Sequence, residues 1–330
     1  MKKTMSVNDA HLRLDHLKEG RLPNEEVPKL ANPLYAKAYD GFLKYGSTSN
    51  TLREGTDGAG GFLVPDEFEK KIVEALKEKN VLRQLATVTS TKRLMKITKA
   101  IGDGHAVWVP EEGLIPAVSD HFDQITLGAY KLATMVRVSD ELLEDSAFDI
   151  EDFIVKAFGE RLADAEEEAF LFGDGMGKPL GLVHQLEHVT ATENDGEITP
   201  DDLLELQHSI PQKYRENAVF LMHDSTIARL RHIRSARGRN IWEEDFTRNT
   251  PDRLLGIPVI ACASMPRVES GSMAVLFGDF SHYLIGDREH RSVKRLAELY
   301  ARQGQVGYQV SQRVDGVLLE KKAIAGLRVK

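Results

Sequence analysis

Residues 149–175 read DIEDFIVKAFGERLADAEEEAFLFGDG. Ile150, Phe153, Ile154, Ala157, Phe158, Leu162, Ala165 and Ala169 recur with a 3.6-residue period, which is one apolar stripe on a long helix. Asp149 stands where an N-cap belongs, with Asp152 at the third helical position, and Gly173 ends the pattern. At 1.5 Å per residue such a helix runs roughly 30 Å. A rod of that length is the backbone of a flat or elongated subunit, and the other segments have to be arranged along it.

The chain has 330 residues, which suits two lobes or one domain with extensions. Its formal net charge of −8 disfavours general nucleic-acid affinity and leaves room for a local basic patch. The single cysteine, Cys262, excludes an internal disulfide and a multi-thiolate metal site, and its apolar setting IPVIACASM predicts a buried, inert thiol. The N-terminal lysines are not followed by an apolar signal region, and no stretch approaches the ~20 apolar residues of a membrane span. The expectation is a protein with no membrane partner and no cofactor.

Residues 1–33 are polar with prolines at 23, 28 and 33, and read as a weakly ordered leader. NPLYAKAYDGFLKYG predicts a short amphipathic helix, and STSNTLREGTDGAGGFLVP a flexible linker or extended arm. PDEFEKKIVEALKEKN predicts a helix with Phe68, Ile72, Val73 and Leu76 on one face. Residues 81–138 read as β-rich, interrupted by glycines and prolines between 102 and 116, which predicts a projecting hairpin that packs on a partner. Beyond about 190 helices and strands alternate. Thr199 is a predicted N-cap before Pro200, NAVFLMH a buried strand, and DSTIARLRHIRSARG a helix capped by Asp224. GIPVIACASMP, GSMAVLFGDFSHYLIGD and the final thirty residues predict further strands.

Several stretches invite a chemical reading. His184-Gln-Leu-Glu187-His188 matches the inverted zinc-peptidase pattern, in which two histidines one turn apart hold zinc and the glutamate activates water. That needs helix on both sides, whereas GDGMGKPLGLV precedes it and VTATENDG follows, so a loop leading into a strand is expected and a zinc hydrolase is the remote alternative. GDGMGKP is not a nucleotide loop, because Pro179 stands where the Mg²⁺-binding Ser/Thr belongs. Arg229, Arg231, Arg234 and Arg237 precede Glu243 and Glu244, which predicts salt bridges within or between subunits. Glu166, Glu167 and Glu168 read as a solvated face, since consecutive helical positions diverge by about 100°. The residues thus offer no catalytic, cofactor-binding or metal site with independent support.

The order of TDGAGGFLVPDEF, PEEGLIPAVSD, the long helix into FLFGDGMGKPLGL, LLGIPVIACASMP and VLFGDFSHYLIGD resembles the Hong-Kong-97-type major capsid proteins of tailed phages and prophages. The resemblance implies an α+β subunit with a peripheral domain (spine helix plus β-sheet), an axial α/β domain, an extended β-hairpin loop and an N-terminal arm. Mapped here, 1–55 is a leader or reduced scaffold segment and 56–91 the arm and start of the peripheral domain. Residues 92–128 are the extended loop, 129–192 the peripheral domain with spine helix 149–172, 193–305 the axial domain, and 306–330 the return to the peripheral domain. It implies a structural protein, not an enzyme, whose main partner is itself, in hexamers and pentamers of an icosahedral virion shell. That shell is built in the bacterial cytoplasm around double-stranded DNA that it does not read by sequence. Scaffold, maturation protease and portal are further implied partners, and an encapsulin-like compartment is the alternative. The leader would be cut near Arg53, Glu54, Gly55 and Thr56, and Glu111, Glu112, Gly113, Leu114 and Ile115 would form loop-tip contacts. Some relatives crosslink through a lysine near this tip. Residues 100–130 contain none, so noncovalent shells are expected.

Overall fold

A computed structural model describes residues 33–49, 52, 62–91, 93–101, 108, 121–144, 149–234, 241–243 and 252–330. Residues 1–32 of the leader and the cleavage region 53–56 lie outside these residues, as do loop-tip residues 111–115, Arg237 and Glu244.

The long helix, α5, runs Ile150–Phe172. The Asp149 side chain accepts from the backbone N–H groups of Glu151 and Asp152, and Gly173 is the C-cap. Ahead of it lie the shorter helices α1 (Pro33–Tyr45), α2 (Asp66–Lys79) and α3 (Val81–Leu85). The β-rich expectation for 81–138 fails at its first five residues. Asn80 accepts from the Arg83 N–H and starts the turn α3 before the first strand residue of this stretch, Thr87. A further short helix, α4, covers Asp140–Glu144.

A five-stranded sheet contains β1 (Phe62–Leu63), β2 (Thr87–Thr91), β5 (Tyr130–Ser139), β12 (Tyr283–Leu296) and β13 (Gln305–Leu318), ordered β1-β12-β13-β5 with β2 also on β12. Alternate residues of β13, from Val306 to Val310, face α5, and the intervening ones face outward. A seven-stranded sheet has the order β6-β14-β11-β7-β10-β9-β8. Its strands are β6 (His188–Ala191), β7 (Val219–Met222), β8 (Trp242–Glu243), β9 (Arg253–Leu254), β10 (Ile257–Ala261), β11 (Met273–Gly278) and β14 (Ile324–Arg328). Every residue of β11 is buried, as its central place requires. Helix α6 (Pro200–Ser209) carries the Thr199 N-cap and a full capping box with Asp202. Helix α7 (Asp224–Leu230) is capped by the His223 ring rather than by Asp224, and it stops after seven residues.

The chain changes sheet at points other than the expected 305/306 boundary. It leaves the seven-stranded sheet through a 3₁₀ turn at Phe280–His282, runs β12 and β13 as an antiparallel pair, and returns through Lys321–Ala323 to β14. Residues 283–305 therefore belong with the five-stranded sheet, and the last strand belongs with the other. Gly278 lies where these two connections cross: a Cβ there would strike the Ala323 carbonyl. The third sheet has two strands, β3 (Met95–Ile101) and β4 (His121–Leu127), paired antiparallel and separate from both larger sheets.

Two cores result. One joins α1, α2, the first two-thirds of α5 and the inner face of the five-stranded sheet. The other surrounds the seven-stranded sheet and takes in Phe170 and Leu171 from the end of α5. The long helix therefore passes from one core into the other.

Candidate assembly interface

Between those two parts of α5 lie Glu166 and Glu167, and neither is solvated. Glu166 is 1% exposed and Glu167 5%. Arg83, delivered by α3, donates from Nε (2.6 Å) and Nη2 (2.9 Å) to Glu166. It also donates from Nη1 (2.9 Å) and Nη2 (2.7 Å) to Asp287 on β12. Gln312 of β13 donates to Glu166 and accepts from Arg291 Nε at 2.7 Å, and Arg291 also meets Glu69 of α2 at 3.1 Å. Two helices preceding the spine, the spine itself and two strands converge on one charge cluster. Glu167 points to the other side. It accepts from the Val81 N–H at 2.6 Å and from Ser264 Oγ, after β10, at 2.7 Å.

Burial pushes the Glu166 carboxyl upward against the pull of Arg83. At Asp287 burial also opposes the charge, but Arg83 and Arg291 outweigh it and hold the carboxyl below its ordinary value. The cluster carries no exposed reactive group; it ties α2, α3 and α5 to two strands of the five-stranded sheet, and the Glu167–Ser264 bond reaches the segment after β10 of the other sheet. The solvated-face reading holds only for Glu168. The arginine partner of Glu166 is 83 residues away in sequence, which no local pattern announces.

The surfaces left for a neighbour lie elsewhere. The β3–β4 hairpin is tied to the rest at its base by Lys99, which donates to the Leu319 carbonyl at 3.2 Å and meets Glu320 at 2.8 Å. Further out, Phe122 is 70% exposed, and Trp108 is wholly exposed. The charged stretch after α7 is partly used within the chain. Arg231 pairs with Asp252 at 2.6 Å and lies over the Trp242 ring, while Arg229 and Arg234 are exposed. The backbone of Glu243 pairs with Arg253 across β8 and β9.

His184 ends a 3₁₀ turn, Leu182–His184, and His188 opens β6, so the two imidazoles belong to different elements rather than to one helical face. Among the described residues no group of three His, Cys, Asp or Glu is placed to hold a metal ion, and no helix is long and apolar enough to cross a membrane. Cys262 is buried, and desolvation pushes its thiol up to about 12.

Two sheets sharing one long helix, with a hairpin set apart from both, make up the Hong-Kong-97-type capsid fold. The chain belongs to the Phage capsid family, whose model matches residues 60–329. It is similar to the capsid of an empty GTA particle, with 30% identity, 76% of this chain and 90% of that one covered, and a TM-score of 0.67. It is 22% identical over 245 residues to the major capsid protein of Klebsiella oxytoca phage phiKO2, a match covering 70% of this chain. The match spans about half the length of that protein (56%). The SrpI encapsulin of Synechococcus elongatus PCC 7942 shares the fold alone, at 17% identity and a TM-score of 0.58, with 75% of this chain and 86% of that one covered.

Proposed function

We propose that this chain is the major capsid protein of a tailed phage or prophage head. It assembles into hexamers and pentamers of an icosahedral shell that encloses double-stranded DNA without reading its sequence. The observation that carries this reading is the family match across 60–329 on a subunit whose β3–β4 hairpin is a sheet of its own, paired with neither larger sheet. An isolated two-stranded hairpin is marginal in water and gains its packing from a second surface. In this reading the α5 lobe is peripheral and the seven-stranded lobe axial. The leader, the segment around 56–61 and the hairpin tip at 111–115 reach neighbouring subunits or assembly partners such as scaffold, protease and portal. Arg229, Arg234, Arg237, Glu243 and Glu244 line contacts between axial lobes. The role is structural rather than catalytic, and assembly takes place in the bacterial cytoplasm.

Electron microscopy of the full chain expressed in bacteria, alone and with its scaffold, tests this. Capsomers or closed shells are expected. Persistent monomers under both conditions would overturn the reading. Mass spectrometry of mature particles checks the leader: chains beginning near Thr56 are expected, and intact chains from Met1 would exclude cleavage.

A further inference from the structure

The core of the α5 lobe is completed by a segment that precedes the span of the family match. That match begins at residue 60, yet Tyr35, Tyr39, Phe42 and Leu43 of α1, and Leu52 beyond it, are buried. They share one core with Phe68 of α2, Ile154 of α5 and Tyr308 of β13. The four α1 residues are spaced i, i+4, i+7 and i+8, which is the pattern of an amphipathic helix lying in a groove. The Tyr39 ring meets the Phe68 ring at 5.7 Å, tilted by 58°.

The same groove holds the end of the helix. Tyr308 Oη donates to the Leu43 carbonyl at 2.5 Å, a bond between residues 265 positions apart. Gly46, at φ 69°, closes α1 with its N–H on the Phe42 carbonyl at 2.9 Å. Arg295 of β12 lies against this turn: a Cβ on Gly46 would stand 2.7 Å from its Nη1. A cation at the C-terminal end of a helix complements the helix dipole. A helix of 13 residues is marginal alone in water, so α1 owes its form to this seat.

The cleavage proposed near residues 53–56 falls between two fixed points. On its N-terminal side stand α1 and Leu52. On the other side Val64 is buried in the same core, and β1 pairs with β12. Hydrolysis there adds water across one peptide bond and leaves a carboxylate on one fragment and an amine on the other. It removes none of the contacts in the groove. Departure of the N-terminal fragment would in addition expose Phe68, Tyr308 and the rest of the groove floor to water, which opposes release.

We propose that α1 is a noncovalent anchor for the leader. After the cut, the N-terminal fragment stays seated between α2, α5 and the five-stranded sheet, and residues 1–32 stay attached to the subunit through it. Discharge of the leader then needs a separate event, either a second cut N-terminal to Pro33 or the unseating of α1. This rests on the reading of the leader as the cleaved segment of a shell subunit, and it assigns the side chains that retain that segment.

The full-length chain, carrying a site-specific protease sequence with glycine-serine spacers between Gly55 and Thr56, tests the anchor before any assembly. The unassembled chain is cut to completion, as judged on a denaturing gel, and analysed by gel filtration and native mass spectrometry. One N-terminal fragment per remainder is expected to persist. Tyr308→Phe keeps the ring and removes one hydrogen bond, and should release the fragment about fivefold faster. Tyr39→Ser/Leu43→Ser should release it at least roughly tenfold faster, with circular dichroism of the uncut variant showing that the lobe is folded. A wild-type fragment that separates during gel filtration would overturn the anchor, as would equal retention by Tyr39→Ser/Leu43→Ser. Mature particles that contain the shortened chain but no peptide spanning 33–45 after a single cut would overturn it as well. Wild-type chain that forms no capsomers or shells would overturn the shell reading instead, and the measurement on the unassembled chain would stand.

Discussion

Arg83 aims all three guanidinium nitrogens at two carboxylates, Glu166 and Asp287, and is 4% exposed. A buried pair of this kind gives little net stability against an apolar replacement of the same shape, but breaking it strands a charge. Arg83→Ala should therefore cost about 3–5 kcal/mol, read as a lower urea midpoint of the unassembled chain. A change below about 1 kcal/mol would show that water reaches the cluster and replaces the arginine. The two carboxylates differ in their response to acid. Asp287 has a folded pKa below its ordinary 3.8, so its contribution is complete above about pH 4 and is lost as pH falls through the folded value. Glu166 is shifted upward, so its contribution runs the other way: it is complete below its ordinary 4.5 and is lost as pH rises through the folded value. Urea midpoints measured from pH 6 down to pH 2 should fall less steeply for Asp287→Asn than for wild type, and more steeply for Glu166→Gln, which loses the stability that protonating Glu166 brings. Equal acid slopes for all three chains would remove Asp287 from the acid response.

At the scale of elements, α2 and α5 cross in close contact at Gly159, where a Cβ would lie 2.7 Å from the Ala75 Cβ. Gly159→Leu should separate the helices and cost about 1–3 kcal/mol as overpacking, whereas loss of an exposed side chain on the same helix, Glu168→Ala, should stay within about 0.5 kcal/mol. Thermal melting of both variants compares them directly. The hairpin is held more loosely. Lys99→Met removes a half-exposed ion pair whose value solvent screens to about 0.2–1 kcal/mol, yet it frees the hairpin base. Hydrogen exchange should quicken across 95–101 and 121–127 while α5 stays protected, and unchanged exchange there would mean that the strand pairing alone holds the hairpin. These elements were unequally legible in the sequence. The spine helix, its Asp149 cap and the Thr199–Pro200 start are local signals spread over a few residues, and they survive folding intact. Helix α3 is five residues long, too short for a period to show, and its Asn80 cap is a single residue. The burial of Glu166 depends on partners 83 and 146 residues away, so the acidic run alone pointed to solvent.

The lobes of the whole molecule were legible as a change from helix and hairpin to alternating α and β near residue 190, but their boundary was not. β12 and β13 are paired to each other by 11 matched positions, and that pairing, not the run of the chain, assigns them to the five-stranded sheet. Lobe geometry and hairpin together set how a shell of this chain can be strengthened. A covalent crosslink at the loop tip needs a lysine amine. The sequence has none between Lys99 and Lys131, and the Lys99 amine is already engaged by Glu320 and the Leu319 carbonyl at the hairpin base. Adhesion then falls to buried apolar area, at about 25 cal/mol per Å² before entropic losses, and to charge pairs that salt weakens. Purified particles boiled in SDS should therefore run as single chains on a denaturing gel at every stage of maturation. Their dissociation by guanidinium should be complete without protease. A ladder of dimers, pentamers and hexamers that resists boiling would show that another amine forms the bond and would overturn the noncovalent account.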